Sequence, residues 1–316
     1  MKMFPLALML KPISTATNGG CVLNIANSMT DKLTIHTGDC RSVLDNIEAA
    51  SIDTCITSPP YFGLREYDHE FQIGTEATVT EFINNLYDIM DGVHRVLKTE
   101  GTLWVNIGDG YCNTNGYQRS KKGWDRTARE GAQANDRDLR DLLNEGYKVK
   151  DVLGVPWRFA FEMQRRGWYL RQDIVWSKPN PMPENVFDRC TKSHEFIFLF
   201  SKSKKYYFDL NAIKTASKSG DGTRVNPRSV WTVPVSRFKG AHFATYPPEL
   251  IEPCVLAGCP PGGTVLDPFA GSGTTAGVAI KHDRRAVLIE ANADYVDIIH
   301  DRVNEIAGLK NNPLFV

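Results

Sequence analysis

At 316 residues, with a formal net charge of zero and 42% hydrophobic residues, the chain can build one large α/β domain, with or without an insert. Its composition is that of an ordinary soluble protein, and no apolar run is long enough to cross a bilayer. Seven scattered cysteines form no C-x-x-C pair, which points to reduced thiols in a cytoplasmic protein and away from structural zinc. The charge is uneven along the chain. Residues 39–109 carry 13 acids against 4 bases, whereas residues 110–240 carry 25 bases against 14 acids. The basic half predicts a surface that faces a polyanion.

Residues 1–28 begin with Lys2 and a short apolar run broken by Pro5. No small-x-small cleavage site follows, so a weakly ordered extension is expected, or a start placed upstream of Met29. A single domain is expected over residues 29–316. Residues 32–37 alternate as a strand and end in Gly38-Asp39-Cys40, after which Val43, Leu44 and Ile47 follow a helical period. Residues 51–57 read as a short buried strand running straight into Ser58-Pro59-Pro60-Tyr61. Two consecutive prolines cannot continue a ladder or enter a helix interior, so they freeze a turn at the end of that strand. In open α/β sheets that edge is where ligands bind.

Residues 76–97 have the spacing of an amphipathic helix, followed by a buried strand over 102–107. Residues 110–150 form a polar, basic segment with interleaved aromatics, including Lys121, Lys122 and Trp124. A segment of this length without its own pattern is usually functional or disordered. A helix from Val155 to Arg166 and a strand over 168–176 follow. A proline-stiffened loop then leads to residues 195–200 and 206–208, which read as the two arms of a hairpin. Residues 210–240 form a second basic stretch containing Trp231. Trp104, Trp168 and Trp176 sit in strand patterns and are expected in the core, whereas Trp124 and Trp231 are candidate nucleic-acid contacts.

The late stretch Asp267-Pro-Phe-Ala-Gly-Ser-Gly-Thr-Thr275 ends one strand, breaks into a glycine-rich turn and opens a helix. Such a turn brings backbone N–H groups close to a ligand. It lacks the Gly-Lys-Ser/Thr of a phosphate loop and the full G-x-G-x-x-G spacing, so a nucleoside without a pyrophosphate fits better. A further strand, residues 285–289, ends in Glu290, placed as an acid that holds ribose hydroxyls. Taken singly, Asp267 could be a helix cap, and Pro59-Pro60 merely a stiff loop.

Together and in this order, Thr57-Ser-Pro-Pro-Tyr61 and Asp267-Pro-Phe-Ala-Gly-Ser-Gly273 resemble the S-adenosylmethionine-dependent DNA amino-methyltransferases of the β group. In that group a catalytic S/D-P-P-Y motif precedes the cofactor loop. His194-Glu195-Phe196 and the segment around Tyr246-Pro247 extend the resemblance, which runs from about residue 33 to residue 306. It implies a class I, Rossmann-like fold with a seven-stranded, mostly parallel sheet, helices on both faces, and a last strand pair that is antiparallel.

The resemblance also implies roles. Asp267, Phe269, Gly271 and Gly273 line the methionine end of the cofactor, Pro268, Ser272, Thr274 and Thr275 complete the cofactor loop, and Thr57 stands beside it. Glu290 lies at the ribose, Asn292 is a further cofactor contact, Asp39 lies near the adenine amino nitrogen, and Tyr246 and Pro247 lie in the segment that closes over S-adenosylmethionine. Ser58, Pro59, Pro60 and Tyr61 form the methyl-transfer site. Arg65, Lys121, Lys122, Lys178, Arg224, Arg228, Arg237 and Lys239 are candidate contacts to double-stranded DNA. Target recognition is expected within residues 210–240, shared with 110–150. A cognate restriction endonuclease is a candidate partner, no metal or membrane is implied, and both monomer and homodimer are open.

The chemistry explains the catalytic motif. An exocyclic amino nitrogen is a poor nucleophile because its lone pair is delocalised into the ring. Ser58 Oγ and the Pro59 carbonyl, accepting from its two N–H groups, would pull the nitrogen toward tetrahedral geometry. Extruding the base costs a few kcal/mol, and stacking on Tyr61 would return about 1–3 kcal/mol. Serine at position 58 favours N4 of cytosine over N6 of adenine. A methyltransferase acting on RNA or a small molecule, and a non-catalytic DNA-binding module on the same fold, are the competing readings.

Overall fold

The computed structural model describes residues 32–63, 72–112, 136–217, 219–220, 222–235 and 245–309. The chain first lays down β1 (Leu33–Thr37), α1 (Cys40–Asn46), β2 (Ile52–Thr57), α2 (Val79–Val96) and β3 (Leu97–Ile107). Next come α3 (Asp136–Asn144), α4 (Val155–Arg165), β4 (Tyr169–Ser177) and β5 (His194–Ser201). Three short strands follow, β6 (Thr215–Ala216), β7 (Arg224–Val225) and β8 (Val230–Thr232). The last part is α5 (Pro248–Gly258), β9 (Thr264–Asp267), α6 (Thr274–Lys281), β10 (Arg285–Glu290) and α7 (Val296–Ile306).

β2 and β9 are buried almost throughout, as strands covered on both faces must be. The main sheet has eight strands in the order β1-β10-β9-β2-β3-β5-β4-β8. All neighbouring pairs are parallel except those made by β5, which runs antiparallel to both β3 and β4. One apolar cluster packs α1, α2 and α4 against one face, and a second packs α5, α6 and α7 against the other. In α2 the buried stripe is Phe82, Leu86, Ile89, Met90 and Val93, and the Thr78 side chain caps the helix by accepting from Glu81 N at 3.1 Å.

Two expectations are corrected. Among the described residues the implied seven strands are eight, because β8, from the second basic stretch, adds in parallel to the outer edge of β4. An open edge offers unpaired N–H and C=O groups, and Val175 N finds Ser229 O at 2.8 Å. The expected hairpin between residues 195–200 and 206–208 does not form. β5 lies between β3 and β4 with both edges paired, leaving no ladder for the second arm. Tyr207 N instead reaches Glu100 O at 2.9 Å, and Phe208 stacks on Trp104. Trp104, Trp168 and Trp176 are buried, as their strand patterns predict.

The order of strands positions the site. β2 and β9 are adjacent and parallel, with Cys55 opposite Leu266. From this pair the sheet grows outward through β10 and β1 on one side and through β3 on the other. Such a reversal opens a crevice beyond the C-terminal ends of the strands. The expected extension over 1–28, and residues 113–135 of the first basic stretch, lie outside the described residues. Among the described residues no helix is long and apolar enough to cross a membrane.

Candidate active site

The adjacency of β2 and β9 sets the Ser-Pro-Pro-Tyr turn beside the glycine-rich turn, although more than two hundred positions separate them in sequence. A cleft of about 280 Å³ opens between them, lined by Ser58, Pro59, Pro60 and Tyr61 on one side and by Pro268, Phe269, Gly271, Ser272 and Thr274 on the other. Asp39, Tyr246, Glu290 and Asn292 also line it.

Asp267 stands behind the wall. It is 1% exposed, and both carboxylate oxygens are occupied. Oδ1 accepts from Thr57 Oγ1 at 2.6 Å and from Phe269 N at 3.1 Å. Oδ2 accepts from Thr275 Oγ1 at 2.5 Å and from Tyr246 OH at 3.2 Å. Burial pushes its carboxyl above the usual range, against the pull of these four donors. Asp267, expected at the methionine end, is not among the residues that line the cleft. It is a clasp that joins β2, the loop, α6 and the segment before α5, and its oxygens are already spent on those donors. Thr57, Thr275, Gly273 and Pro247 likewise lie outside the lining. Gly273 is required for another reason: its φ is +80°, and a Cβ there would come within 2.7 Å of Ile299 Cγ2.

The loop side of the cleft is acidic and apolar. Glu290 Oε2 accepts from Gly271 N at 2.8 Å and Oε1 from Asn292 N at 3.0 Å. Each oxygen keeps a lone pair for a hydroxyl, and burial raises this carboxyl's pKa. Asp39 caps α1, accepting from Arg41 N at 3.1 Å, with Arg41 paired to its carboxylate on the outer side. Cys40 lies next to it in the cleft wall, its thiol pushed up to about 12, by burial first and the nearby Asp39 second. A thiol held neutral is not a ready nucleophile, in keeping with chemistry that needs no covalent adduct.

Among the described residues the single Lys or Arg lining the cleft is Lys178, on the far side. The loop side thus offers carboxylates, an aromatic ring and backbone groups, with no cation to pair a phosphate. These residues fit a nucleoside that carries positive charge and no phosphate, which is the chemistry of S-adenosylmethionine.

The opposite side holds residues that sequence reasoning missed or placed elsewhere. Asn106 on β3 has a fixed amide: its Nδ2 donates to Glu195 Oε2 and to Phe196 O, both at 3.2 Å, so Oδ1 faces the Ser58–Tyr61 turn. Ser58 Oγ donates to that Oδ1 at 3.4 Å, and Tyr61 OH reaches it at 3.3 Å. Tyr61 OH also donates to Glu195 Oε2 at 2.6 Å. The Tyr61 ring packs over Gly108, where a Cβ would sit 2.6 Å from Cε2. Glu195 is the second residue of β5, and because β5 is antiparallel its start lies at the edge where β2, β3 and β4 end. Lys178, expected at a DNA-facing surface, points instead into the cleft and pairs with Glu195. Of the other basic candidates, Arg224 and Arg228 are exposed and outside the cleft lining. Arg65, Lys121, Lys122, Arg237 and Lys239, with Trp124, lie outside the described residues. Trp231 is half-buried on β8, its Nε1 donating to Arg228 O at 2.9 Å. Among the described residues no group of three or more His, Cys, Asp or Glu could hold a metal.

A sheet of this order, with a glycine-rich turn and an acid at the ends of adjacent strands, defines a class I, Rossmann-like methyltransferase. Comparison with known proteins narrows the class. Residues 52–301 match the DNA methylase (N6/N4 methyltransferase) family, and the chain belongs to it. The Type II methyltransferase M.Cfr9I of Citrobacter freundii is 50% identical over 280 residues, covering 88% of this chain and 89% of that protein. The Type II methyltransferase M.SmaI of Serratia marcescens is 44% identical over 266 residues, covering 84% and 89%. Among solved structures, the PvuII DNA methyltransferase, described as cytosine-N4-specific, superposes with a TM-score of 0.62 at 19% identity, covering 88% of this chain and 93% of that one. The putative DNA modification methylase TTHA0409 of Thermus thermophilus, complexed with S-adenosyl-L-methionine, does so with a TM-score of 0.56 at 21% identity, covering 87% and 95%. The protein is an S-adenosylmethionine-dependent DNA methyltransferase.

Proposed function

We propose that the chain methylates N4 of cytosine at a specific site in double-stranded DNA, on a base turned out of the helix. The observation that carries this reading is that one cleft holds both the glycine-rich loop and the Ser58–Tyr61 turn. Bound on the loop side, S-adenosylmethionine supplies an electrophilic methyl group on a sulfonium centre. Glu290 takes the ribose hydroxyls, and Phe269 with the loop backbone takes the rest of the nucleoside. Across the cleft, Ser58 directs its own proton to Asn106 Oδ1, which leaves its lone pairs to accept an N–H from the target amino group. The Pro59 carbonyl accepts the other. The barrier falls through positioning rather than through a shifted pKa.

Serine at position 58 supports cytosine. The Type II names of M.Cfr9I and M.SmaI support a cognate restriction endonuclease that cuts the same unmethylated site. The test is to incubate the protein with labelled S-adenosylmethionine and duplex DNA, digest to nucleosides, and identify the product by mass spectrometry. N4-methylcytosine is expected. N6-methyladenine alone would overturn the choice of base, and no transfer to any nucleic acid would overturn the whole reading. Tyr61→Ala should lower transfer far more than cofactor binding; equal losses would refute its assignment to the base side.

A further inference from the structure

The side of the cleft facing the loop contains a lysine that neither the fold nor the transfer chemistry requires. Lys178 follows the last residue of β4, with its backbone N held by Ser193 O at 2.8 Å. Its side chain is 17% exposed, pairs with Glu195 Oε1 and lies 4.2 Å from the centroid of the Trp176 ring. Trp176 is itself fixed, its Nε1 donating to Val233 O at 2.7 Å. Glu195 joins Lys178 to Tyr61 and Asn106, and Asn106 joins it to Ser58. The ammonium is therefore held by one hydrogen-bonded network in register with the groups that take the target amino nitrogen.

An ammonium carries three N–H donors, and one carboxylate oxygen uses only part of that capacity. The bases differ in what they present beside the amino group. Cytosine shows two successive acceptors, N3 and O2, whereas adenine shows N1 and then a C–H that accepts nothing. A buried donor left facing a C–H loses a hydrogen bond without regaining water, and that asymmetry is how polar sites discriminate between bases.

Resting on the cytosine reading above, we propose that Lys178 reads the extruded base, donating to the N3/O2 edge of cytosine, with Glu195 and Trp176 as the residues that position it. Lys178 is on this view a determinant of base choice, and its acid partner serves to aim it rather than to neutralise a stray charge.

The experiment is a double-perturbation cycle on the full-length protein. Wild type and Lys178→Met are each assayed on a duplex with cytosine at the target and on one with a 2-aminopyridin-5-yl C-nucleoside, which keeps the amino group and the ring nitrogen beside it and carries a C–H where cytosine has O2, at a pH where that ring nitrogen is neutral. Transfer is read as kcat/KM, the product is identified by nucleoside mass spectrometry, and cofactor binding is measured separately. Wild type should lose about 10- to 100-fold on the analogue, the range of one charge-assisted hydrogen bond. Lys178→Met should lose a similar factor on cytosine and little more on the analogue, with cofactor affinity within about twofold of wild type. Lys178→Arg should recover part of the loss on cytosine.

If Lys178→Met and wild type are penalised equally by the analogue, Lys178 does not read the base, even though N4-methylcytosine still forms. If the variant loses cofactor binding or melts early, the matched comparison within Lys178→Arg decides in the same way: an analogue penalty equal to that of wild type supports reading by the cation. The absence of any penalty in wild type overturns the proposal. N6-methyladenine as the wild-type product would instead defeat the cytosine reading itself, a result visible in the nucleosides before any variant is made.

Discussion

Asp267→Asn tests whether Asp267 is a clasp rather than a cofactor ligand. The amide keeps an oxygen for Thr57 Oγ1 at 2.6 Å and Phe269 N at 3.1 Å. It replaces the other oxygen, which takes Thr275 Oγ1 at 2.5 Å and Tyr246 OH at 3.2 Å, with an NH₂ that accepts nothing. Those hydroxyls can rotate to accept from the new donor, so the loss is mainly of charge-assisted bonds worth about 1.5–3 kcal/mol each. Removing a buried negative charge offsets part of this, leaving a net cost of about 2 kcal/mol. For a domain of this size that lowers Tm by about 3 °C. Because Phe269 and the loop lean on the same carboxylate, S-adenosylmethionine affinity should fall by about tenfold or more. Differential scanning calorimetry and isothermal titration on one preparation check both. Lost cofactor affinity with an unchanged Tm would refute the clasp and place Asp267 in direct contact with the ligand.

Three further outcomes follow from the geometry. Gly108→Ala puts a Cβ 2.6 Å from the Tyr61 ring; since Glu195 holds the hydroxyl, transfer should fall by about 10- to 100-fold with cofactor binding retained, as for a misplacement of about 1 Å, checked by single-turnover kinetics. Glu290→Gln should weaken cofactor binding by about tenfold, the worth of one charged hydrogen bond. Burial already raises this carboxyl, so wild-type affinity should begin to fall as pH drops at values above the ordinary carboxylate range, and titration calorimetry of the variant should show a flatter profile. Glu162, held down to about 2 by Arg165 first and Arg166 with it, lends α4 stability that is fully present above about 4.5 and is lost as pH falls toward 2. Glu162→Gln should therefore destabilise at pH 7 by less than about 1 kcal/mol, since the group is near the surface, and have no effect on urea melts near pH 2.

The cofactor was legible in the chain through the two motifs that carry the family resemblance. Asp267, the glycines at 271 and 273 and Glu290 must sit at strand ends because strand, turn and helix periods leave them nowhere else, and two prolines at 59 and 60 fix the other turn. These are local signals, carried within a few residues of the chemistry. The other half of the site was not legible, because nothing local marks it. Asn106 reads as one more residue of a buried strand, and Glu195 as the start of another. Lys178 reads as one cation among 25 in a basic stretch. Asn106 meets Ser58 because β3 pairs in parallel with β2, Thr57 opposite Val105, and Glu195 with its partner Lys178 joins them because β5 enters the sheet antiparallel between β3 and β4, which brings its first residues to the edge where its neighbours end. The role of Asp267 changed for the same reason. Sequence placed it at the loop, but only packing shows that Thr57, Tyr246 and Thr275 converge on its carboxylate and turn it away from the cleft. The sequence alone marked the glycine-rich turn and the acid after the next strand as the pattern of a nucleoside site. Which groups line the opposite side of the cleft depended on strand order, a property of the whole sheet.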